Sequence, residues 1–142
     1  MILLMSTEKK YFELMLEGKK KYEFRRKFVN TPCSAFIYIP SPISEIQGFI
    51  EFGKPIIDSP EKINQIALSQ DIDTGEDSDI LDYMEGINRG YAIPINNIEK
   101  LKKPVTLAFL RKHYSFTAPQ GYMILDKRPR LLKYLLSSLA VF

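Results

Sequence analysis

Apolar positions change period several times along the chain, and the changes mark its elements. Ile2-Leu3-Leu4-Met5 is a continuous apolar run of strand length. Ser6 or Thr7 then offers a helix cap, and Tyr11, Phe12, Leu14, Met15 and Leu16 follow at helical spacing until Gly18 ends the helix. From Lys20 to Lys27 the period becomes two. Tyr22, Phe24 and Arg26 fall on one face of a predicted strand, and Lys21, Glu23, Arg25 and Lys27 fall on the other. Ala35 to Ile39, set between Pro32 and Pro40, reads as a buried strand. Ile46 to Phe52 reads as another, with Gly48 where a bulge or barrel bend belongs.

Ser59-Pro60-Glu61 predicts a helix start with Ile63, Ile66 and Ala67 facing inward. Residues 70–77 form an acidic loop, and Ser78 caps a short helix that ends near Gly86. The next strand runs from Tyr91 to Ile95, with Pro94 placing it at an edge or a bulge. Asn96-Asn97 and Pro104 mark turns, and Val105 to Arg111 fits either a strand or a helical turn. Tyr122 to Leu125 reads as the last strand. Leu131, Leu132, Leu135, Leu136 and Leu139 form a helical apolar stripe, which packs on the body of the protein or pairs two copies as a homodimer. Short strands interrupted by a few helices predict an α+β fold around a small β-barrel, with a C-terminal helix.

At 142 residues the chain suits one domain with a core of its own. One cysteine, Cys33, and one histidine, His113, exclude a disulfide framework and any multi-Cys or multi-His metal site within the chain, and the sequence predicts no metal or cofactor. The apolar ends are too short for a leader core or a membrane span, so a cytoplasmic location is expected. Charge changes the picture more. The net value is +3, but residues 1–30 hold eight Lys/Arg against four Asp/Glu, and residues 99–142 hold nine against two. Residues 58–85 hold nine acids and one lysine. Either these are ordinary solvated faces, or the two ends build a basic surface for a polyanion such as RNA.

The densest chemistry lies in Gly18-Lys19-Lys20-Lys21-Tyr22-Glu23-Phe24-Arg25-Arg26, at a predicted helix-to-strand turn. Glu23 and Arg25 are two apart on one strand face, where a charge-assisted hydrogen bond would fix both groups and leave Arg25 a preorganised donor fork. Lys20 adds a compact cation to the same face. The set suits a phosphate or a polar base edge; alternatively Glu23 and Arg25 form only a local ion pair that secures the turn. Tyr38, at the end of its strand before Pro40-Ser41-Pro42, is placed to rim a cleft, and Arg26 adds to the positive field.

The spacing Gly18-x-Lys20-x-x-Glu23-x-Arg25 in this context resembles the ASCH domain, a branch of the PUA-like folds. Tyr38-Ile39-Pro40-Ser41-Pro42-Ile43 followed by Gly48 to Gly53 is similar to a barrel hairpin of that family, and Gly90-Tyr91-Ala92-Ile93 and Pro119-Gln120-Gly121-Tyr122 resemble its later landmarks. The likeness spans roughly residues 1–125 and leaves residues 126–142 as a helical extension packed on the domain. It implies a small barrel with flanking helices around a cleft, a prokaryotic type of protein, and binding of RNA or a modified nucleotide, with a regulatory role in RNA metabolism or translation, through Gly18, Lys20, Glu23, Arg25, Arg26, Tyr38 and Ser41. It also implies an alternative. Some ASCH proteins hydrolyse the amide of acetylated cytidine with the motif's lysine, a threonine where this chain has Glu23, and a glutamate from the helical region. Here Lys20 and Glu23 would have to act, with Glu76 or Glu85 as the further acid, and Lys20 would have to shed its proton to act as a nucleophile or base.

Overall fold

The computed structural model describes residues 1–70, 72 and 79–139. The predicted acidic loop, apart from Gln70 and Ile72, and the Ser78 cap lie outside the described residues, as does Glu76. The elements in chain order are β1 (Ile2–Ser6), α1 (Lys9–Leu16), β2 (Tyr22–Arg25), β3 (Cys33–Ile39), β4 (Glu45–Phe52), β5 (Ile56–Asp58), α2 (Pro60–Ser69), α3 (Asp79–Tyr83), β6 (Gly90–Thr106), α4 (Leu107–Tyr114), β7 (Tyr122–Ile124) and α5 (Pro129–Ser137). The strands form one curled mixed sheet in the order β2-β6-β4-β3-β1-β7, with β5 also paired to β6. The result is α+β: a half-barrel with helices around it. No described helix is long and apolar enough to cross a membrane.

Strand alternation divides the sheet between two cores. Leu3 and Met5 of β1 join Cys33, Ala35, Ile37 and Ile39 of β3 on the side covered by Phe12 and Met15 of α1. Leu4, Phe36 and Tyr38 point the other way, onto Leu110 of α4 and Leu131 and Leu135 of α5. Central strands buried on both faces read as unbroken apolar runs, which is why β1 and β3 show no polar alternation. A third cluster joins Phe24 and Ala92 to Ile63 and Ala67 of α2 and to Ile80 and Met84 around α3. Of the leucine stripe, Leu131 and Leu135 are buried and Leu136 is exposed.

Gly48 has a stronger reason than a bend. A Cβ there would run into the Phe12 ring, so this glycine lets α1 lie directly across β4. The register also shifts between Ile46 and Gly48, which turns Ile46 into the second core while Ile50 stays in the first.

Two expectations are corrected. The stretch expected to break at Asn96-Asn97 and Pro104 is a single seventeen-residue strand, β6. Its irregularities coincide with those residues: the register against β4 slips between Glu51 and Phe52, opposite Asn97 and Ile95, and again between Gly48 opposite Lys100 and Ile46 opposite Val105. The bulges absorb the breakers, so Pro104 lies where the ladder is already interrupted and its missing N–H costs little. The open choice over Val105 to Arg111 resolves into both elements, since Thr106 ends β6 and its hydroxyl accepts from Phe109 N at 3.1 Å to start α4.

The second correction concerns α1. Neither Ser6 nor Thr7 caps it; Glu8 stands at the cap with no side-chain cap bond. Ser6 is engaged elsewhere, its hydroxyl donating to Pro119 O at 2.7 Å. Gly18 does close the helix, with φ +76 and its N–H donating to Met15 O.

Candidate functional site

The turn after α1 delivers the chain into β2 in a few residues. Lys19 N and Lys20 N both donate to Leu14 O at 3.0 Å, which holds the turn tight and sets Lys20 at the head of the strand. β2 is an edge strand, hydrogen-bonded to β6 alone, with Glu23 opposite Ile93 and Arg25 opposite Tyr91. On its other side the Gln70 side-chain oxygen accepts from Lys21 N at 2.6 Å and Tyr22 N at 3.2 Å.

A cavity of about 320 Å³ opens beside this edge, lined by residues of the β1–α1 junction (Ser6, Thr7, Glu8, Tyr11), of the turn and β2 (Lys20, Glu23, Phe24, Arg25) and of α3 (Ile80, Tyr83). Lys20 is 2% exposed and Glu23 8%, far below what charged side chains show on a surface. Arg25 Nη2 donates to Glu23 Oε2 and to Ser6 O, both at 3.0 Å. Glu23 Oε1 accepts from Phe24 N at 3.2 Å, so each carboxylate oxygen has a partner. The Lys20 ammonium stands 4.7 Å from the Phe24 ring centre and 5.4 Å from that of Tyr11, close enough for cation–π attraction. The cavity therefore combines two cations, two carboxylates of which Glu23 is fixed by Arg25 and Glu8 stands at the β1–α1 junction, and aromatic walls.

Three of the motif residues, Lys20, Glu23 and Arg25, meet in this cavity; Gly18 makes the turn behind it without lining it. Phe24 lines the cavity too, although alternation sets it on the opposite pleat face, because at an edge strand the cavity reaches both faces. Arg26 does not line it. Its Nη1 donates to Tyr83 O at 2.7 Å, at the end of α3, and to Glu85 O at 2.8 Å in the turn that follows, and so holds the Tyr83 wall in place. Tyr38 is 4% exposed and packs on Phe116 in the second core, since alternation along β3 turns it away from α1 while Ile37 and Ile39 face that helix. Ser41 is exposed and lies in a separate hollow of about 640 Å³ with Lys9, Lys10 and Pro40, which meets the first cavity only at Glu8. Glu85 does not line the cavity; its carbonyl accepts from Arg26.

Sequence reasoning missed Thr7, Tyr11 and Tyr83. Thr7 was read as a cap, and Tyr11 counted among apolar helix positions; the phenol within that apolar stripe was the available signal. The Thr7 hydroxyl has no hydrogen-bond partner among the described residues, although Thr7 is only 6% exposed. Neither ionisable outlier lies in the cavity: burial pushes the Cys33 thiol up, and the Ile2 N–H, 2.8 Å from Asp126 Oδ1, holds that carboxyl down. Among the described residues no group of three His, Cys, Asp or Glu side chains is placed to hold a metal.

A second basic region shares no lining residue with this cavity. His113, Tyr114, Ser115, Lys127, Arg128 and Arg130 line a hollow of about 430 Å³ where α4 ends and α5 begins. Arg128 Nη2 donates to Tyr114 O, and the Arg130 guanidinium lies 5.8 Å from the Tyr114 ring centre.

No protein-family model and no curated protein matches the sequence. Solved structures do match the fold. The ASCH protein of Zymomonas mobilis superposes with a TM-score of 0.74 at 19% identity, over 93% of this chain and 94% of that one. A mutant of the same protein gives 0.75 at 19% identity, over 94% and 95%. The NMR structure of Rpa0253 from Rhodopseudomonas palustris gives 0.50 at 18% identity, over 91% and 79%.

Proposed function

We propose, on the premise of the ASCH fold that the chain shares with these structures, that it binds a nucleoside, or one nucleotide of an RNA strand, in the cavity beside β2. The observation that carries this reading is the meeting of Lys20, Glu23 and Arg25 with the rings of Tyr11, Phe24 and Tyr83 in one cavity. Its volume is that of a small organic ligand. Aromatic walls offer stacking to a planar base, and the guanidinium, held in place by Glu23 and Ser6 O, offers donors to a base edge or phosphate without a further ordering cost. The basic ends of the chain supply the field that gathers an RNA backbone.

Binding is favoured over amide hydrolysis by the state of Glu23. Its carboxylate is engaged in holding Arg25 Nη2 and Phe24 N, which suits a group that positions the guanidinium rather than one that shuttles protons. Calorimetric titration with the four common ribonucleosides and N4-acetylcytidine, with product analysis of the last, tests the reading. Saturable binding that Lys20→Ala weakens, with the acetyl group left intact, supports it. Release of acetate at a rate that Lys20→Ala abolishes would make the chain a hydrolase instead, and the absence of any binding would end the reading.

A further inference from the structure

We propose that Tyr83 is the ring on which the cavity stacks its base, a platform that serves all four bases alike. The inference rests on the nucleoside reading of the cavity and adds to it the side chain that takes the face of the base.

Four side chains of the lining have the flat shape that stacking on a base requires: Tyr11, Phe24, Tyr83 and Arg25. Three of them are already engaged. The Lys20 ammonium lies 4.7 Å from the Phe24 ring centre, Tyr22 stacks on the same ring at 6.4 Å, and Phe24 is 6% exposed. Tyr11 has two cations at its ring, Lys10 at 4.8 Å and Lys20 at 5.4 Å. Arg25 is held through Nη2 by Glu23 and Ser6 O, and 16% of its side chain is exposed. Tyr83 makes no ring or cation–π contact among the described residues, and it is 43% exposed on the wall of the cavity. Of the four it has the most apolar surface left to bury against a ligand.

The backbone beneath that ring is fixed before any base arrives. Ile80 and Met84, which flank Tyr83 along the chain at the third cluster, are 4% and 1% exposed. Met84 N donates to Ile80 O at 3.0 Å, and the Met84 side chain lies against Gly90, where a Cβ would run into its sulfur. The Tyr83 carbonyl accepts from Arg26 at 2.7 Å. A platform held in this way loses only side-chain freedom on binding. The other lining residues do not compete for the face of a base: Ser6, Thr7, Glu8, Lys20 and Glu23 carry no ring, and Ile80 is committed to the core. Stacking reads no base edge. Every base presents a π face, so loss of the ring costs each of them about the same.

The chain contains no tryptophan, so Tyr83→Trp places a single indole at the platform. Wild type, Tyr83→Ala, Tyr83→Phe and Tyr83→Trp are titrated by calorimetry with adenosine, cytidine, guanosine and uridine, and the indole fluorescence of Tyr83→Trp is followed in parallel. Tyr83→Ala should weaken every nucleoside that the wild type binds by about tenfold or more, by factors that agree within about threefold. Tyr83→Phe, which keeps the ring, should restore most of that affinity. The indole of Tyr83→Trp should be quenched along the same saturation curve that calorimetry gives. Wild-type affinity in Tyr83→Ala, or a loss in Tyr83→Phe as large as in Tyr83→Ala, overturns the inference and leaves the nucleoside reading standing. A loss confined to one base also overturns it, since the residue would then be reading an edge. Should Tyr83→Ala not fold, the indole decides: no change in its fluorescence while a nucleoside binds overturns the inference. A wild type that binds none of the four removes both readings.

Discussion

The cavity beside β2 and the hollow between α4 and α5 both gather positive charge, and they hold it in opposite ways. In the cavity Lys20 is 2% exposed against two aromatic rings, and Arg25 is tied through one nitrogen to Glu23 and Ser6 O. In the hollow His113, Lys127 and Arg130 are exposed, Arg128 is half-buried, and no carboxylate among the described residues shares the lining. A cation in water keeps its hydration and acts through a screened field, whereas one removed from water must be repaid by fixed partners and is then fixed itself. Buried charge makes a shaped site. Exposed charge makes an attractive surface.

The comparison breaks first on stability. Arg25→Met should cost roughly 3 kcal/mol in urea unfolding, because it strands the largely buried Glu23 carboxylate without its counter-charge. Arg130→Met in the hollow should stay within about 0.5 kcal/mol. Equal losses would mean that the two regions do not differ in the way their exposure indicates.

Salt sharpens it next. A labelled single-stranded RNA should bind more weakly as salt rises, and Arg130→Ala should lower the slope of log K against log salt by about one if that guanidinium neutralises a phosphate. Lys20→Ala should weaken binding with a smaller change in slope if its ammonium meets a base. Identical slope changes would place both cations on the backbone.

The smallest effect is at Asp126, next to the hollow but bound to the fold. Its carboxyl is held down by the Ile2 N–H, so its folded-state pKa lies below the unfolded one. That contribution to stability is present above the ordinary aspartate pKa and is lost as pH falls through the lower folded-state value. Asp126→Asn should therefore flatten the acid limb of a stability-against-pH curve slightly, and an unchanged limb would show that the bond does not persist in solution.

The motif site was legible because Gly18, Lys20, Glu23 and Arg25 lie within eight residues at one turn, where local geometry alone brings three side chains together. What came from other elements was not. Tyr83 reaches the cavity through a tertiary contact, held by Arg26, that no spacing encodes. Tyr38 was misplaced for want of one parity count: two steps from Phe36, it had to share that residue's face. The length of β6 was hidden because Asn96-Asn97 and Pro104 read as stops, while bulges paired across from β4 let a strand pass through them.

Gln70 gives the edge of β2 a protection that reaches beyond this one molecule. An unpaired strand edge is a template on which another extended chain can add itself, and β2 presents its free side next to a ligand-sized opening. By placing its side-chain oxygen against Tyr22 N, and against Lys21 N just ahead of the strand, Gln70 occupies the first outward donor of β2 that an incoming strand would use. The guard is a single amide, and it sits at the start of the edge without lining the cavity itself. A strand added along β2 would also cover the cavity beside that edge, so the same amide guards the opening as well as the sheet.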